Sequence, residues 1–248
     1  MTEIRPGRFE ILPTVIKNLL IINVLVFIAQ LSAEAKGLIP SDTFALHTWQ
    51  SPYFKPWQFV THMFMHGSWG HLFSNMFVLW MFGSLLENLW GPKRFLLFYM
   101  ACGLGAAFCH MVALYIETNH LLAELYALGN NYDNDTIAFV QEYGRGRVHL
   151  PDEILAMQYR QATLGASGAV MGCLAAFGYL FPNTEIYLYF FIPIKAKWFV
   201  ILYAAGDFIA AVAHTAGDNV AHIAHLGGAL VGFILVYFWN KTNRRTFY

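Results

Sequence analysis

Charge is scarce in this 248-residue sequence: 12% of its residues are Asp, Glu, Lys or Arg, and 57% are hydrophobic. Ordinary soluble domains carry roughly 25% charged residues, so the scarcity excludes a soluble globular domain and indicates a chain solvated mostly by lipid. The formal net charge is zero, which leaves no basic excess to suggest a nucleic-acid partner. Cysteines are few, and Cys102, Cys109 and Cys173 all lie inside apolar runs, so we infer no disulfide framework and treat them as packing residues. HExxH, GxSxG, internal repeats and low-complexity tracts are all absent. From these absences we expect no metal and no cofactor.

What the sequence does contain is apolar length. A hydrocarbon layer about 30 Å thick needs roughly 20 mostly apolar residues per helix, because lipid offers the backbone no hydrogen-bond partner. Six segments meet or approach this requirement: Val15–Ala33, His71–Trp90, Arg94–Ile116, Ser167–Pro182, Ala196–His214 and Val220–Asn240, the fourth being short. The expected fold is all-α and polytopic, with six transmembrane helices and an interfacial loop between the first two. The corresponding organisation is an N-terminal segment 1–14, a membrane domain 15–240 with an external insertion at 117–162, and a tail 241–248. The insertion carries "NNYDND" and "YGRGR"; it has no metal-ligand spacing or nucleotide loop, and suits an external cap or a lid.

Arg5, Arg8, Lys17, Lys93, Arg94, Lys195, Lys197, Lys241, Arg244 and Arg245 fall on one side of a six-helix arrangement, which predicts cytoplasmic termini. The first segment also has the look of a signal peptide, since it follows basic residues and ends in "SAEA". Its long apolar stretch, interrupted by Asn18 and Asn23, fits a retained helix better.

Three polar groupings interrupt the apolar background. Gly165-Ala166-Ser167-Gly168, with Gly172 one turn on, puts a serine among residues with almost no side chain at the start of a helix. A helix start offers unpaired N–H groups and positive potential, and small residues admit a neighbouring helix. A nucleophile that forms an oxyanion suits such a place, and so does an ordinary N-cap serine in a packing seam; the motif alone leaves both open. In "NVAHIAHLGGALVGF", His222 and His225 lie three residues apart on roughly one face, and Gly228 and Gly232 form a GxxxG seam. A neutral imidazole there can take a serine proton, and ionisable groups in membrane helices are expensive and tend to be functional. In "THMFMHGSWGHLFSNMF", His71 and Asn75 are four apart and aim their donors the same way, as oxyanion stabilisation requires. His62 and His66 have helical metal-ligand spacing, but no carboxylate stands nearby to complete a site.

With these groupings in this order, the sequence resembles the rhomboid intramembrane serine proteases. "GASG" is similar to the family's GxSG, "HLFSN" to its HxxxN and "HLGGALVG" to its AHxxGxxxG. The resemblance implies Ser167 as nucleophile, His225 as general base, and an oxyanion hole of His71, Asn75 and the Ser167 backbone N–H, with Gly165, Gly168, Gly172, Gly228 and Gly232 packing the site. It also implies a dyad with no acidic third member, transmembrane protein substrates cut at small uncharged residues, a bilayer as the medium, and a bacterial cytoplasmic membrane as the location. "TFALHTWQSPYFKPWQFVTHMFMHG" looks like the family's partly immersed first loop. The chain departs from the family pattern at Gln58, where much of the family has Arg after Trp, and at Met171, where several relatives have an aromatic.

Other functions follow from single features. A non-catalytic relative would bind membrane helices without cleaving them. A transporter is suggested by the histidines and Asp207, but no repeat accompanies them. "AAGD" around Asp207 is close to an aspartyl-protease GxGD, but Ala204 stands at its first glycine. Asp207 and Glu87 are expected to be structural, Glu87 tying neighbouring helices or loops together.

Overall fold

In lipid an apolar run becomes a helix because its backbone can pair only with itself, and the long runs of this chain do so. The computed structural model describes residues 9–38, 43–128, 162–188, 191–213 and 221–242. The 129–161 stretch, which holds most of the expected insertion, lies outside the described residues, as do the ends of the expected N-terminal segment and tail. Helix α1 spans Thr14–Ala35. A continuous helical stretch follows, α3 (Trp69–Val78) and α4 (Ser84–Trp90) joined by a π segment at Leu79–Gly83. Helix α5 runs Pro92–Leu128, twelve residues past the expected end at Ile116, so the insertion begins as an extension of this helix. Helices α6 (Ser167–Leu180), α7 (Ala196–Ala213) and α8 (His222–Thr242) complete the set.

Among the described residues five helices are long and apolar enough to cross a membrane, and Ser167–Leu180 is shorter. Its 14 residues give about 21 Å of helix, less than the thickness of the hydrocarbon layer. Helix α6 is also apolar on every side and buried from Gly168 to Gly178, as befits a helix surrounded by protein. Its packing partners include Phe82, Cys102 and Ala106. Lipid-compatible surface lies on the outer helices, with Phe73 and Phe77 stacked on α3, and Ile201, Leu202, Phe208 and Ile209 exposed on α7.

The connections are more ordered than their composition suggests. Residues after α6 form an antiparallel hairpin of β3 (Glu185–Leu188) and β4 (Ile192–Lys195), with Glu185 opposite Lys195. Between α1 and α3, strand β1 (Leu46–His47) pairs with β2 (Ala162–Thr163), so this loop holds the segment leading into α6. Next come a short helix α2 (Gln58–Thr61) and a 3-10 turn, His62–Phe64. Gln58 is fully buried at the loop's centre. Its Nε2 donates to the carbonyls of Thr43 and Tyr53, both at 3.1 Å, and its Oε1 accepts from the N–H of Lys55 at 3.1 Å and of His47 at 3.3 Å. Both faces of the amide are used, so the departure at Gln58 leaves no gap in the loop.

Helix α1 starts after Pro13 with no side-chain cap of its own. Glu87 of α4 supplies one across the bundle: its Oε1 accepts from the Val15 N–H and its Oε2 from the Ile16 N–H, both at 2.8 Å. A buried carboxylate on a helix N-terminus satisfies orphan donors and meets positive potential. Asn88 beside it exchanges two hydrogen bonds with the Glu10 backbone. Hydrogen bonds to a charged group contribute about 1.5–3 kcal/mol each. Glu87→Ala is therefore expected to destabilise the protein by a few kcal/mol and lower its Tm in detergent, and Glu87→Gln, which keeps one acceptor oxygen, by less.

Candidate functional site

Strand β2 ends at Thr163, and the chain turns into α6 through Leu164, Gly165 and Ala166. Gly165 has φ +127° and donates its N–H to the His62 carbonyl at 2.9 Å. A Cβ there would lie 2.9 Å from Cε1 and Nε2 of His71 and 3.6 Å from Ser167 Oγ. Only glycine suits both that backbone conformation and the close approach of the imidazole. Ala166 occupies the N-cap position, and no side chain caps the helix. Ser167 is thus the first helical residue and not its cap, which removes the ordinary explanation for a serine here. Ser167 lines a cavity.

Helix α8 lies against α6 backbone to backbone. A Cβ on Gly228 would overlap the Gly168 carbonyl, and one on Gly232 would sit 2.6 Å from Cα and O of Gly172. On its other side Gly172 abuts Cys102 and Gly168 abuts Ala106, both on α5. Where Gly168 meets the Ala224 carbonyl, the next residue of α8 is His225, and both Ser167 and His225 line the cavity of about 820 Å³ beside this contact.

Across that cavity lie His71, Ser74 and Asn75 of α3, with Met171 one turn below Ser167 and Tyr203 from α7. Ser68 caps α3 by accepting the His71 N–H at 3.1 Å, and His71 Nδ1 accepts from the Gly67 N–H at 3.4 Å. Asn75 is buried, and its Nδ2 has no hydrogen-bond partner among the described residues. A buried donor without an acceptor is costly, and this one belongs to a side chain that lines the cavity.

His225 has a partner that the sequence did not assign to it. Its Nδ1 lies 3.2 Å from Oδ2 of Asp207 on α7, and His222 Nδ1 lies 2.6 Å from Oδ1 of the same carboxylate. The sequence predicts Asp207 as a structural hydrogen-bonding residue without identifying its partner, and the resemblance implies a His225 with no acidic companion. The available signal was that a lone carboxylate in an apolar helix requires a partner on a neighbour, and only three-dimensional packing identifies which. Donor atoms of Asp207, His222 and His225 all lie within 4.8 Å of one another, so these residues could also hold a metal ion; the short separations are those of hydrogen bonds.

The paired histidines of the first loop do not form such a group among the described residues. His62 Nδ1 contacts the Gln58 carbonyl at 2.7 Å. His66 packs its ring 5.1 Å from that of His71, and its ring nitrogens lack partners among the described residues. Burial lowers the pKa of both His62 and His66 to about 4, helped at His66 by the like charge His71 would carry.

A family model described as "Rhomboid domain" matches residues 53–241. Among curated proteins, the chain is 29% identical over 150 residues to Arabidopsis thaliana RHOMBOID-like protein 12, mitochondrial, covering 60% of this chain and 37% of that protein. It is 33% identical over 88 residues to Arabidopsis thaliana Rhomboid-like protein 11, chloroplastic, covering 36% of this chain and 29% of that one. It is 27% identical over 139 residues to Saccharomyces cerevisiae Rhomboid protein 1, mitochondrial, covering 56% and 29% respectively. The matches thus span well under half the length of these relatives.

The two low pKa values predict how stability depends on pH. From pH 6.5 down to about 4, the unfolded chain binds protons at His62 and His66 that the folded chain refuses. Stability is therefore complete above pH 6.5, falls as the pH drops through that window, and levels off below it for these groups. At about 1.4 kcal/mol per pKa unit, each histidine accounts for roughly 3 kcal/mol. Unfolding in detergent between pH 7.5 and 4 should show this slope, and His62→Gln and His66→Gln should each flatten it.

Proposed function

The chain belongs to the rhomboid family of membrane proteins, and on that footing we propose that it is an intramembrane serine endopeptidase that cuts transmembrane segments of other proteins. The observation that carries this reading is the single cavity lined by Ser167, His225, His71 and Asn75. Ser167 Oγ attacks a substrate carbonyl while His225 takes its proton, and the carbonyl oxygen becomes an anion. The Asn75 amide, His71 and the Ser167 N–H donate to that oxygen. The C–N bond then breaks, and His225 gives its proton to the leaving amine. Water, deprotonated by His225, hydrolyses the resulting ester and frees Ser167.

Depth supports the same reading. A helix of about 21 Å cannot span a layer of about 30 Å, so chain adjoining α6 lies within the layer's thickness. Irregular backbone at that depth is tolerated where it is buried in protein or lines a watery cavity. Gly165 and Ala166 are buried, and Leu164 and Ser167 line the cavity. A substrate segment unwinding there would meet both the nucleophile and the water that completes hydrolysis.

For location we propose a bacterial-type cytoplasmic membrane with both termini on the cytoplasmic side. The support is the clustering of Lys and Arg at one set of helix ends; the organelle names of the matched relatives do not contribute to it.

The test is cleavage of a model transmembrane substrate in proteoliposomes. Ser167→Ala and His225→Ala are expected to reduce cleavage to background, and labelling by a fluorophosphonate is expected to require both residues. Asn75→Ala should lower kcat by about 10²–10³, as loss of an oxyanion donor does. Undiminished cleavage by Ser167→Ala would overturn the proposal, and substrate binding without cleavage by the unaltered chain would indicate a helix-binding relative.

A further inference from the structure

We propose that Asp207 is a positioning residue for His225, the base that faces the same cavity as Ser167, through the observed His225–Asp207 hydrogen bond, and that His222 holds the carboxylate in place. The inference rests on the serine-protease reading above.

The first observation is where Asp207 sits. Helix α7 is the least enclosed of the helices that contact the site: of its residues only Ala196 and Asp207 are buried. A helix with so much lipid-compatible surface has one carboxylate, and that carboxylate is turned inward. Burying a carboxylate away from water costs several kcal/mol unless it is paired, so its two contacts on α8 are what make the placement tolerable.

The second observation is the division of bonds. Oδ1 faces His222 Nδ1 at 2.6 Å and Oδ2 faces His225 Nδ1 at 3.2 Å, with a longer 3.4 Å approach from the same nitrogen to Oδ1. An ionised carboxylate can only accept, so both imidazoles present Nδ1–H to it. For His225 this fixes the tautomer: the proton is on Nδ1, and Nε2, on the far side of the ring, carries the lone pair that a general base needs. A ring flip or the other tautomer would leave no acceptor for the serine proton. His222, three residues earlier on the same face of α8, occupies the other oxygen and keeps the carboxylate from turning away.

The chemistry balances without a proton on Asp207. When the Ser167 O–H bond breaks, its proton moves to His225 Nε2, and the new imidazolium keeps its Nδ1–H bonded to Asp207. The neutral imidazole thereby becomes a cation facing a fixed anion. The carboxylate supplies the opposite sign.

Asp207→Asn, nearly isosteric, is the first test. In proteoliposomes it should lower kcat by about 10²–10⁴-fold, the order seen when a base loses its orienting carboxylate, with KM changed by less than about threefold and fluorophosphonate labelling slowed in parallel. Asp207→Glu should recover part of the loss. A fall in Tm with kcat per folded molecule unchanged would mean a merely structural role and would overturn the proposal. If Ser167→Ala or His225→Ala remains active, the protease reading fails; if both are inactive and Asp207→Asn is fully active, only this inference fails. A second measurement needs no Asp207 variant: nitrogen-15 NMR of histidine-labelled Ser167→Ala protein should show His225 protonated at Nδ1 with a strongly downfield proton. A ring protonated at Nε2 with Nδ1 bare would contradict it.

Discussion

The contact on which the rest of the structure depends is the backbone approach of α6 and α8 at Gly168, Gly172, Gly228 and Gly232. In lipid, apolar side chains gain little by leaving one helix surface for another, so association relies on close packing and on polar contacts. Removing side chains at these positions brings the two backbones into direct contact. The seam also fixes register. Gly168 follows Ser167, and Gly228 lies one turn beyond His225, so the glycines that meet place the serine and the histidine beside one cavity. A methyl group at Gly228 would push against a carbonyl, which has no rotamer with which to yield. The spacing of two side chains is thus set by four residues that have none.

Polar residues do a complementary job in this apolar chain. Glu87 binds the start of α1, Gln58 ties four backbone groups of the first loop together, and Asp207 joins α7 to α8. Each is buried, and each has partners, as the high cost of an unsatisfied buried group requires. Several other buried polar atoms have no hydrogen-bond partner among the described residues, and the Nδ2 of Asn75 is one of them. Its side chain lines the same cavity as Ser167, where an acceptor arriving with a substrate could satisfy it.

Much of this was legible in the sequence, for identifiable reasons. Apolar length alone located the helices, because the bilayer imposes one requirement on every span. Helix α5 was read too short: Glu117 and the polar residues after it resembled a loop, yet the helix continues to Leu128, since polarity does not end a helix that meets neither Pro nor Gly. The β3–β4 hairpin and the β1–β2 pair were missed because strands of two to four residues leave no measurable period. Gln58 is visible in the sequence only as a departure from the family pattern, whereas its role depends on four backbone groups converging from Thr43 to Lys55. For the candidate site, the family resemblance singled out Ser167 and His225 but not the partner of His225. Asp207 comes from a different helix, 18 residues away from His225 in sequence, and that pairing exists only once the helices are packed.

The helix starts suggest why the charges lie where they do. The N-terminus of a helix carries positive potential from its unpaired N–H groups and aligned dipoles. At α1 that potential is met by the Glu87 carboxylate. At α8, whose first residue is His222, the Asp207 carboxylate instead meets the imidazoles of the first turn, His222 and His225. Two buried anions that would otherwise be hard to accommodate in an apolar bundle are therefore each partnered in the first turn of a helix. Helix α6 begins differently: Ala166 stands at its cap position, no side chain caps it, and its first residue opens onto the cavity. Of these three helix starts it is the one that meets no carboxylate among the described residues, and in the proposed acyl transfer an anion would arise there only for the life of the tetrahedral intermediate. A permanent anion at that place would compete with the transient one, so small, neutral residues at the start of α6 are what the proposed catalytic role calls for.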